Sequence, residues 1–267
     1  MRYLLPVLVI LSSGLSAAAQ TPPALFDGTF YGRSDLPIKQ STGNSAGLVQ
    51  ALSGVFELIH ELRANDPLRL LSTPIGRLDL LGEQADGQQI VETCTATLLP
   101  GDYLLTNSHC VPGSPGLTLK SASLLMDYLV QGTEGERFEV SLKPAEFDTK
   151  LDYAILQVSG NPTQKFGSIA IALHNVEPGE SLVIFHHPMG QPKRMTRFRC
   201  LALKEQAAGP TLRHRCDTLP GSSGSLVFSM SESHTVGLHY LGGMDTQDEA
   251  SFNTASRMSS IYEATQE

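Results

Sequence analysis

Short apolar segments separated by turn residues dominate the chain after residue 89. Dipeptides that favour tight turns, such as Pro100-Gly101 and Pro178-Gly179, lie between these segments. Many short strands at modest spacing are typical of β-barrels and β-sandwiches, so we expect an all-β domain here. The predicted strands cover residues 94–99, 103–106, 153–158, 168–172, 181–185, 198–203, 225–228 and 235–240.

The region before this domain has a different character. Residues 1–19 combine a basic start, a short apolar stretch and a run of small residues, which predicts a signal peptide cleaved after Ala19. An uncleaved N-terminal anchor is the alternative, and after cleavage we expect no membrane-spanning segment. The chain is therefore predicted to be secreted or periplasmic. Residues 20–74 would form an N-terminal extension or propeptide, and residues 75–267 the main domain.

Two helices are predicted outside the β-rich region. In the extension, five apolar residues recur at helical spacing, with Asn44 or Ser45 as the cap and Pro67 at the end. A second helix is predicted over residues 255–265, at the end of the chain. The five apolar residues are Leu48, Leu52, Val55, Ile59 and Leu62.

The composition favours a globular protein that does not bind nucleic acid. Of the 267 residues, 41% are hydrophobic and 17% are charged, which is too apolar for a disordered chain. The formal net charge is −8, and an acidic chain without a basic stripe lacks the charge needed to hold phosphates. We interpret the small basic group at Lys193, Arg194, Arg197 and Arg199 as a solvated hairpin.

Four cysteines remain after the predicted cleavage: Cys94, Cys110, Cys200 and Cys216. An even number in an oxidising compartment predicts two disulfides, and the sequence alone allows three pairings. The members of each neighbouring pair are 16 positions apart, which suits Cys94–Cys110 and Cys200–Cys216. A four-cysteine zinc site is the competing interpretation, but the chain lacks the Cys-x-x-Cys spacing of such sites.

Three polar residues suit acyl transfer by a serine, which needs a base, an acid that orients the base, and donors for the oxyanion. His109 ends an apolar strand and is the candidate base. Asp152 precedes another apolar strand and is the candidate acid, with Asp148 as its competitor. Ser223 lies among glycines just before a strand and is the candidate nucleophile. The amides of Gly221 and Ser223 would form the oxyanion hole.

Three motifs in this order resemble those of the trypsin/chymotrypsin-like serine endopeptidases. They are Leu-Thr-Asn-Ser-His-Cys at 105–110, Leu-Asp-Tyr-Ala-Ile-Leu at 151–156, and Asp-Thr-Leu-Pro-Gly-Ser-Ser-Gly-Ser at 217–225. The last motif is similar to that of the bacterial branch, which includes glutamyl endopeptidases. The resemblance implies two six-stranded antiparallel β-barrels with the triad between them, a peptide or protein substrate and no cofactor. It also implies the Cys94–Cys110 disulfide.

One departure from the family pattern concerns activation. The animal enzymes carry an aspartate before the nucleophile, and this aspartate pairs with a new N-terminus. Ser222 stands at that position here. We therefore expect any activation to work differently, for example by removal of part of residues 20–90.

The resemblance also indicates the residues of the specificity pocket, which are Asp217, Thr218, His239 and Gly242. Asp217 stands where trypsin-like enzymes bind Lys or Arg, whereas Thr218 with His239 resembles the carboxylate-binding pocket of glutamyl endopeptidases. One pocket cannot bind both basic and acidic substrate side chains well, because a charged or polar group would be left without a partner in either case. The two matching residues favour cleavage after acidic residues. A pocket for small or polar side chains, with Asp217 pointing away, is the alternative.

We expect no metal site and a monomeric protein. Four histidines that invite a metal interpretation, His174, His186, His187 and His214, are taken as structural or surface residues. Two other functions remain open: a catalytically silent relative that binds a partner through the cleft, and an exported esterase with the same triad.

Overall fold

The computed structural model describes residues 24–37, 56–113, 116–206, 209–245, 248 and 250–266. The predicted signal peptide, the capping residues Asn44 and Ser45, and residues 48–55 of the predicted helix lie outside the described residues. Within the described part of the chain, no helix is long and apolar enough to cross a membrane.

The first antiparallel sheet is formed by eight strands in the order β7-β6-β3-β4-β5-β9-β8, with β1 paired to β4. A bridge between Val140 and Val158 joins β7 to the chain beyond β9, so the sheet curls back on itself. Its strands are β1 (Ala24–Asp27), β3 (Ile75–Gln84), β4 (Gln89–Leu99), β5 (Tyr103–Thr106), β6 (Leu117–Met126), β7 (Glu136–Val140), β8 (Glu146–Asp148) and β9 (Tyr153–Gln157).

The second antiparallel sheet has seven strands in the order β12-β15-β14-β13-β10-β11-β2. Bridges from Ser181 to Leu201 and from Ala202 to His214 connect its outer parts. Its strands are β2 (Glu57–Leu58), β10 (Leu182–His186), β11 (Arg194–Thr196), β12 (Thr211–His214), β13 (Leu226–Ser229), β14 (Thr235–Leu241) and β15 (Asn253–Arg257).

The two sheets confirm the predicted all-β, two-barrel fold. Six strands of each sheet correspond to the expected barrels, and β1, β8 and β2 add to them. Of these three strands, β1 and β2 come from the predicted extension, so its described parts pair with both sheets.

The predicted long helix in the extension is wrong where the structure describes it. Glu57–Leu58 form β2, which pairs with β11, and Ile59–Glu61 form a single 3-10 turn closed by the Leu62 amide. Pro67 does not end a helix but begins one, because the Asp66 carboxylate accepts the Leu68 amide at 2.9 Å and caps the start. This helix is α1 (Pro67–Leu71), and a second short helix is α2 (Thr163–Phe166).

The helix at the end of the chain is confirmed as α3 (Met258–Ala264). It begins three residues later than predicted, because the preceding residues pair with β12 and β14 as β15. Its buried residues Met258 and Ile261 join an apolar cluster that contains residues of both sheets. Burying this surface away from water holds the two sheets together. Members from the sheets are Ile75, Leu105, Tyr153, Val183, Phe185, Leu226 and Leu238.

A buried arginine connects the first residues of the fold to both sheets. Arg77 on β3 has no exposed surface, and its guanidinium binds Asp79 through two nitrogens at 2.7 and 2.9 Å. It also donates to the carbonyl oxygens of Ser34 at 2.6 Å and Gly190 at 2.5 Å. These acceptors satisfy a charge that would otherwise be costly to bury.

Candidate active site

His109 and Asp152 lie together because of the register between two strands. His109 follows β5, Asp152 immediately precedes β9, and Thr106 of β5 pairs with Ala154 of β9. The Nδ1 atom of His109 is 2.6 Å from Oδ2 of Asp152, and both side chains are buried. The structure therefore forms the imidazole–carboxylate contact that the sequence predicts.

Three bonds hold the Asp152 carboxylate in its ionised form. Besides the imidazole, Oδ1 accepts the His109 amide at 2.9 Å and the Ser108 hydroxyl at 2.8 Å. Burial alone would raise the pKa of Asp152, but these bonds outweigh burial and hold the pKa below its ordinary value. Because an ionised carboxylate only accepts, His109 carries its proton on Nδ1 when neutral, and Nε2 keeps the lone pair of a base.

The competing acid, Asp148, has a local role instead. Its Oδ1 accepts the amides of Lys150 and Leu151 at 2.6 and 2.7 Å, which caps the turn between β8 and β9. Asp152 itself has a positive φ of 50°, an uncommon conformation for a residue other than glycine. In that backbone conformation its carboxylate faces His109, and its carbonyl accepts the side-chain Nδ2 of Asn107 at 2.7 Å.

Ser223 lies in a loop that two glycines shape. Gly221 and Gly224 have φ values of 96° and 85°, which side-chain-bearing residues rarely adopt. A Cβ atom at Gly224 would overlap the Thr95 carbonyl and the Thr106 hydroxyl, so only glycine fits. The loop is therefore packed against β4 and the end of β5, and Thr106 is only three residues before His109.

A single threonine of β4 holds this loop in place. The Thr95 amide donates to the Ser223 carbonyl at 2.8 Å, and the Thr95 hydroxyl donates to the Gly221 carbonyl at 2.9 Å. The same hydroxyl accepts the His187 amide at 3.1 Å. All three bonds are buried, so the loop, the first sheet and the end of β10 share one polar junction.

Two amides of the serine loop are available as donors. Ser222 and Gly224 donate to the carbonyls of Leu219 and His239, whereas Gly221 and Ser223 donate to no acceptor among the described residues. The Met189 amide binds the Pro220 carbonyl at 2.6 Å. Because carbonyl and N–H point to opposite sides of a trans peptide, this bond turns the Gly221 N–H away from Met189.

The residue before the candidate nucleophile belongs to a neutral hydrogen-bond network. Ser222 Oγ accepts the Leu219 amide at 3.2 Å and lies 2.8 Å from His186 Nδ1. His186 Nε2 lies 3.2 Å from the Thr196 hydroxyl. Burial lowers the pKa of His186 to about 3, so the imidazole is neutral. Ser222 therefore makes only uncharged side-chain contacts among the described residues.

The predicted pocket residue His239 contacts His214, which the sequence analysis took as a structural or surface residue. The Cys216 amide donates to His214 Nδ1 at 3.2 Å, so the proton of His214 is on Nε2. That atom is 3.2 Å from His239 Nδ1, which leaves the His239 proton on Nε2. Burial lowers the pKa of both rings, that of His214 to about 3, so both are neutral. The one remaining donor of His239, its Nε2–H, is hydrogen-bonded to the Thr254 carbonyl.

Asn253 connects the segment that holds Cys216 and Thr218 to the segment that follows β14. Its side-chain amide donates to the Cys216 carbonyl at 2.7 Å and to the Thr218 hydroxyl at 3.0 Å. Its Oδ1 accepts the amides of Gly243 and Met244 at 2.8 and 2.9 Å. Because Thr218 Oγ1 accepts from Asn253, its own proton remains free to donate.

The other two predicted pocket residues, Asp217 and Gly242, make fewer contacts that define the pocket. Asp217 is half-buried, and burial raises its pKa, although the nearby Arg215 and Arg199 oppose the rise. Gly242 directly follows β14. Of the histidines taken as structural, His187 binds the Gln191 carbonyl at 2.9 Å and is buried.

Both predicted disulfides, Cys94–Cys110 and Cys200–Cys216, are formed. The four cysteines are thus unavailable to zinc, and the four-cysteine site is wrong. Cys94–Cys110 fastens the residue after His109 to β4, next to Thr95.

The sequence analysis missed a buried carboxyl close to His109. Glu92 of β4 is 5% exposed, and its Oε2 has no hydrogen-bond partner among the described residues. Burial raises the pKa of Glu92 from 4.5 to about 7, with His109 opposing the rise. A single glutamate in a strand that also carries Gln89 and three threonines gives no sequence signal that its carboxyl is buried.

We expect the Thr95 junction to stabilise the whole fold. T95V keeps the side-chain shape but leaves the His187 amide and Gly221 carbonyl without a buried partner. The free energy of unfolding should fall by about 2–4 kcal/mol, measured by urea denaturation with the disulfides intact. T95S keeps the hydroxyl and should lose less than about 1 kcal/mol. Equal losses for T95V and T95S would contradict this role.

Glu92 should make stability depend on pH. Because its pKa is about 7 in the folded state and 4.5 normally, folding favours the protonated form, and stability falls as pH rises between these values. E92Q should raise the unfolding free energy at pH 8 by up to about 3 kcal/mol and leave it unchanged at pH 4. The exposed carboxylate of Glu139 supplies the control E139Q, which should show no such pH-dependent gain.

Comparison with known proteins places this site in a family. A family model described as "Trypsin-like peptidase domain" matches residues 94–238, a little more than half of the chain. A curated relative, "Secreted RxLR effector protein 73" of Plasmopara viticola, is 26% identical over 170 residues, which is 56% of this chain and 41% of the relative. The chain thus spans about two fifths of that relative's length.

Solved structures share the fold at low identity. The active form of the Rv3671c protease from M. tuberculosis is 18% identical, with a TM-score of 0.56 over 74% of this chain and 82% of that chain. The thermostable serine protease AL20 from an extremophilic microorganism is 17% identical, with a TM-score of 0.54 over 73% and 95%. With the matching family model, these similarities show that the chain belongs to the family of trypsin-like peptidase domains and has a serine-protease fold.

Proposed function

We propose that the chain is a secreted serine endopeptidase with His109, Asp152 and Ser223 as its catalytic triad. The observation that carries the proposal is the His109–Asp152 contact of 2.6 Å, with the serine loop packed against the strands beside it. Family membership favours peptide bonds as the substrate.

The proposed reaction uses each group in turn. His109 Nε2 accepts the Ser223 hydroxyl proton as Oγ attacks the substrate carbonyl carbon. The amides of Gly221 and Ser223 donate to the resulting oxyanion, and each such donor is commonly worth about 3 kcal/mol in the transition state. The tetrahedral intermediate collapses, and His109 gives its proton to the leaving amine. Water, deprotonated by His109, then hydrolyses the acyl-enzyme and restores Ser223.

Two features support an oxidising, extracytoplasmic location. The predicted signal peptide would direct export, and both disulfides are of the kind that persists outside the cytoplasm. In this proposal, residues 24–37 and 56–74 stay with the protease after export, because β1 and β2 pair with its two sheets.

A fluorophosphonate probe should label Ser223 in the wild-type protein, and mass spectrometry of the peptides should locate the adduct. S223A should not react, and D152N should react about ten-thousand-fold more slowly, because the neutral amide no longer holds the productive tautomer of His109. The exposed Ser141 provides the control S141A, which should label normally.

A folded wild-type protein that the probe leaves unlabelled would favour the silent binding protein over the enzyme. Hydrolysis of a nitrophenyl ester without hydrolysis of any denatured protein would favour the esterase.

We further propose that the enzyme cleaves after acidic residues. Two pocket groups can donate to a carboxylate, which is purely an acceptor: the hydroxyl of Thr218, and the Nε2 proton of His239, which would turn from the Thr254 carbonyl to the substrate. The cations near Asp217 reduce its ability to bind a lysine or arginine. Together these features favour a glutamate side chain before the cleaved bond.

Two peptides that differ only in Glu or Gln before the cleaved bond would test this preference. The wild type should favour Glu by at least about 100-fold in kcat/KM, because only the carboxylate matches both donors. T218V should reduce this ratio at least about tenfold, since it removes one donor, whereas T218S should keep the ratio. Mapping of cleavage sites in a denatured protein would contradict acidic specificity if every cut followed Lys or Arg.

A further inference from the structure

A second cluster of titratable side chains lies outside the proposed active site. His174 belongs to the segment between α2 and β10, and Glu232 and His234 belong to the hairpin between β13 and β14. A bridge between Leu173 and Thr235 places the segment and the hairpin side by side. The sequence drew attention to His174 but not to His234, which is 60 positions away in the chain.

The ligand atoms of these three residues face one another. Glu232 Oε2 is 3.4 Å from His174 Nδ1 and 3.0 Å from His234 Nδ1. One nitrogen or oxygen from each residue falls within 4.8 Å of the other two. Four-coordinate zinc holds nitrogen and oxygen ligands at about 2.0–2.2 Å, so its ligand atoms are about 3.4 Å apart. The cluster needs little movement to reach this spacing.

A further carboxylate orients one of the imidazoles. Both oxygens of Glu180 are 3.1 Å from His174 Nε2, on the side of the ring opposite Glu232. Glu180 is itself held by the Ser229 hydroxyl and by the Glu177 amide at 2.8 Å. A carboxylate that accepts the Nε2 proton leaves the Nδ1 lone pair directed at Glu232. Metal-binding histidines usually have such a partner.

From this arrangement we propose a zinc-class metal site formed by His174 Nδ1, Glu232 and His234 Nδ1, with water as the fourth ligand. Two imidazoles select a transition metal such as Zn²⁺ rather than Ca²⁺ or Mg²⁺, which prefer oxygen ligands. The side chains of Glu232 and His234 are 52% and 41% exposed, so a metal can enter from solvent. The bound metal would clamp the β13–β14 hairpin to the segment that connects the two sheets.

The site is independent of the proposed protease chemistry, and its test does not use peptide cleavage. Zn²⁺ is titrated calorimetrically into the EDTA-treated full protein, and one ion should bind per chain. H174Q and H234Q should each bind about 100-fold more weakly, since a neutral amide is a poor zinc ligand. E180Q should bind about tenfold more weakly, because it disturbs only the orientation of His174.

Matched variants distinguish this site from adventitious binding. E263Q, in the exposed carboxylate of α3, and H109Q should both keep the wild-type affinity. Zn²⁺ should also raise the melting temperature of the wild type but not of H234Q, and Co²⁺ should give visible absorption that H174Q lacks. Near-UV circular dichroism checks that each variant is folded. Equal affinity of the wild type and H234Q, or binding lost in H109Q instead, would overturn the proposal.

Discussion

The buried junction at Thr95 is the contact on which the arrangement of the candidate active site depends. His109 and Asp152 are both placed by the first sheet, whereas Ser223 comes from a loop that precedes a strand of the second sheet. Thr95 binds that loop through its amide and its hydroxyl, and it sits beside Cys94, whose disulfide holds the residue after His109. One position on β4 therefore fixes the loop and the imidazole relative to the same backbone.

Hydrogen bonds between uncharged side chains position several residues of the candidate active site. Ser222, His186 and Thr196 form an uncharged chain behind the nucleophile, and His214 supports His239 in the same manner. Neutral rings avoid the high cost of burying unpaired charge, and a fixed tautomer still directs each donor. Ionised groups are kept where several partners meet them, as at Asp152.

The sequence predicted the fold class, both disulfides, the helix at the end of the chain and the contact of His109 with Asp152, because these follow from local patterns and from motifs in a fixed order. Segments 168–172 and 198–203 do not form the predicted strands. Seven of the described strands of the main domain were not among those named from the sequence: β3, β6, β7, β8, β11, β12 and β15. Apolar content alone does not reveal which segments find a pairing partner. The roles of Thr95, Asn253 and Met189 arise from contacts between distant parts of the chain, and no local pattern encodes them.

Arg77 has a consequence for where this protein can be divided. Its guanidinium is fully buried, and two of its acceptors are the carbonyls of Arg33 and Ser34. A chain shortened to the predicted domain boundary at residue 75 would keep this charge and lose those two acceptors, so the cation would retain only Asp79 and the Gly190 carbonyl as hydrogen-bond partners among the described residues. The segment that contains Arg33 and Ser34 is thus part of the protein interior. We expect a recombinant protein that omits this segment to be poorly soluble.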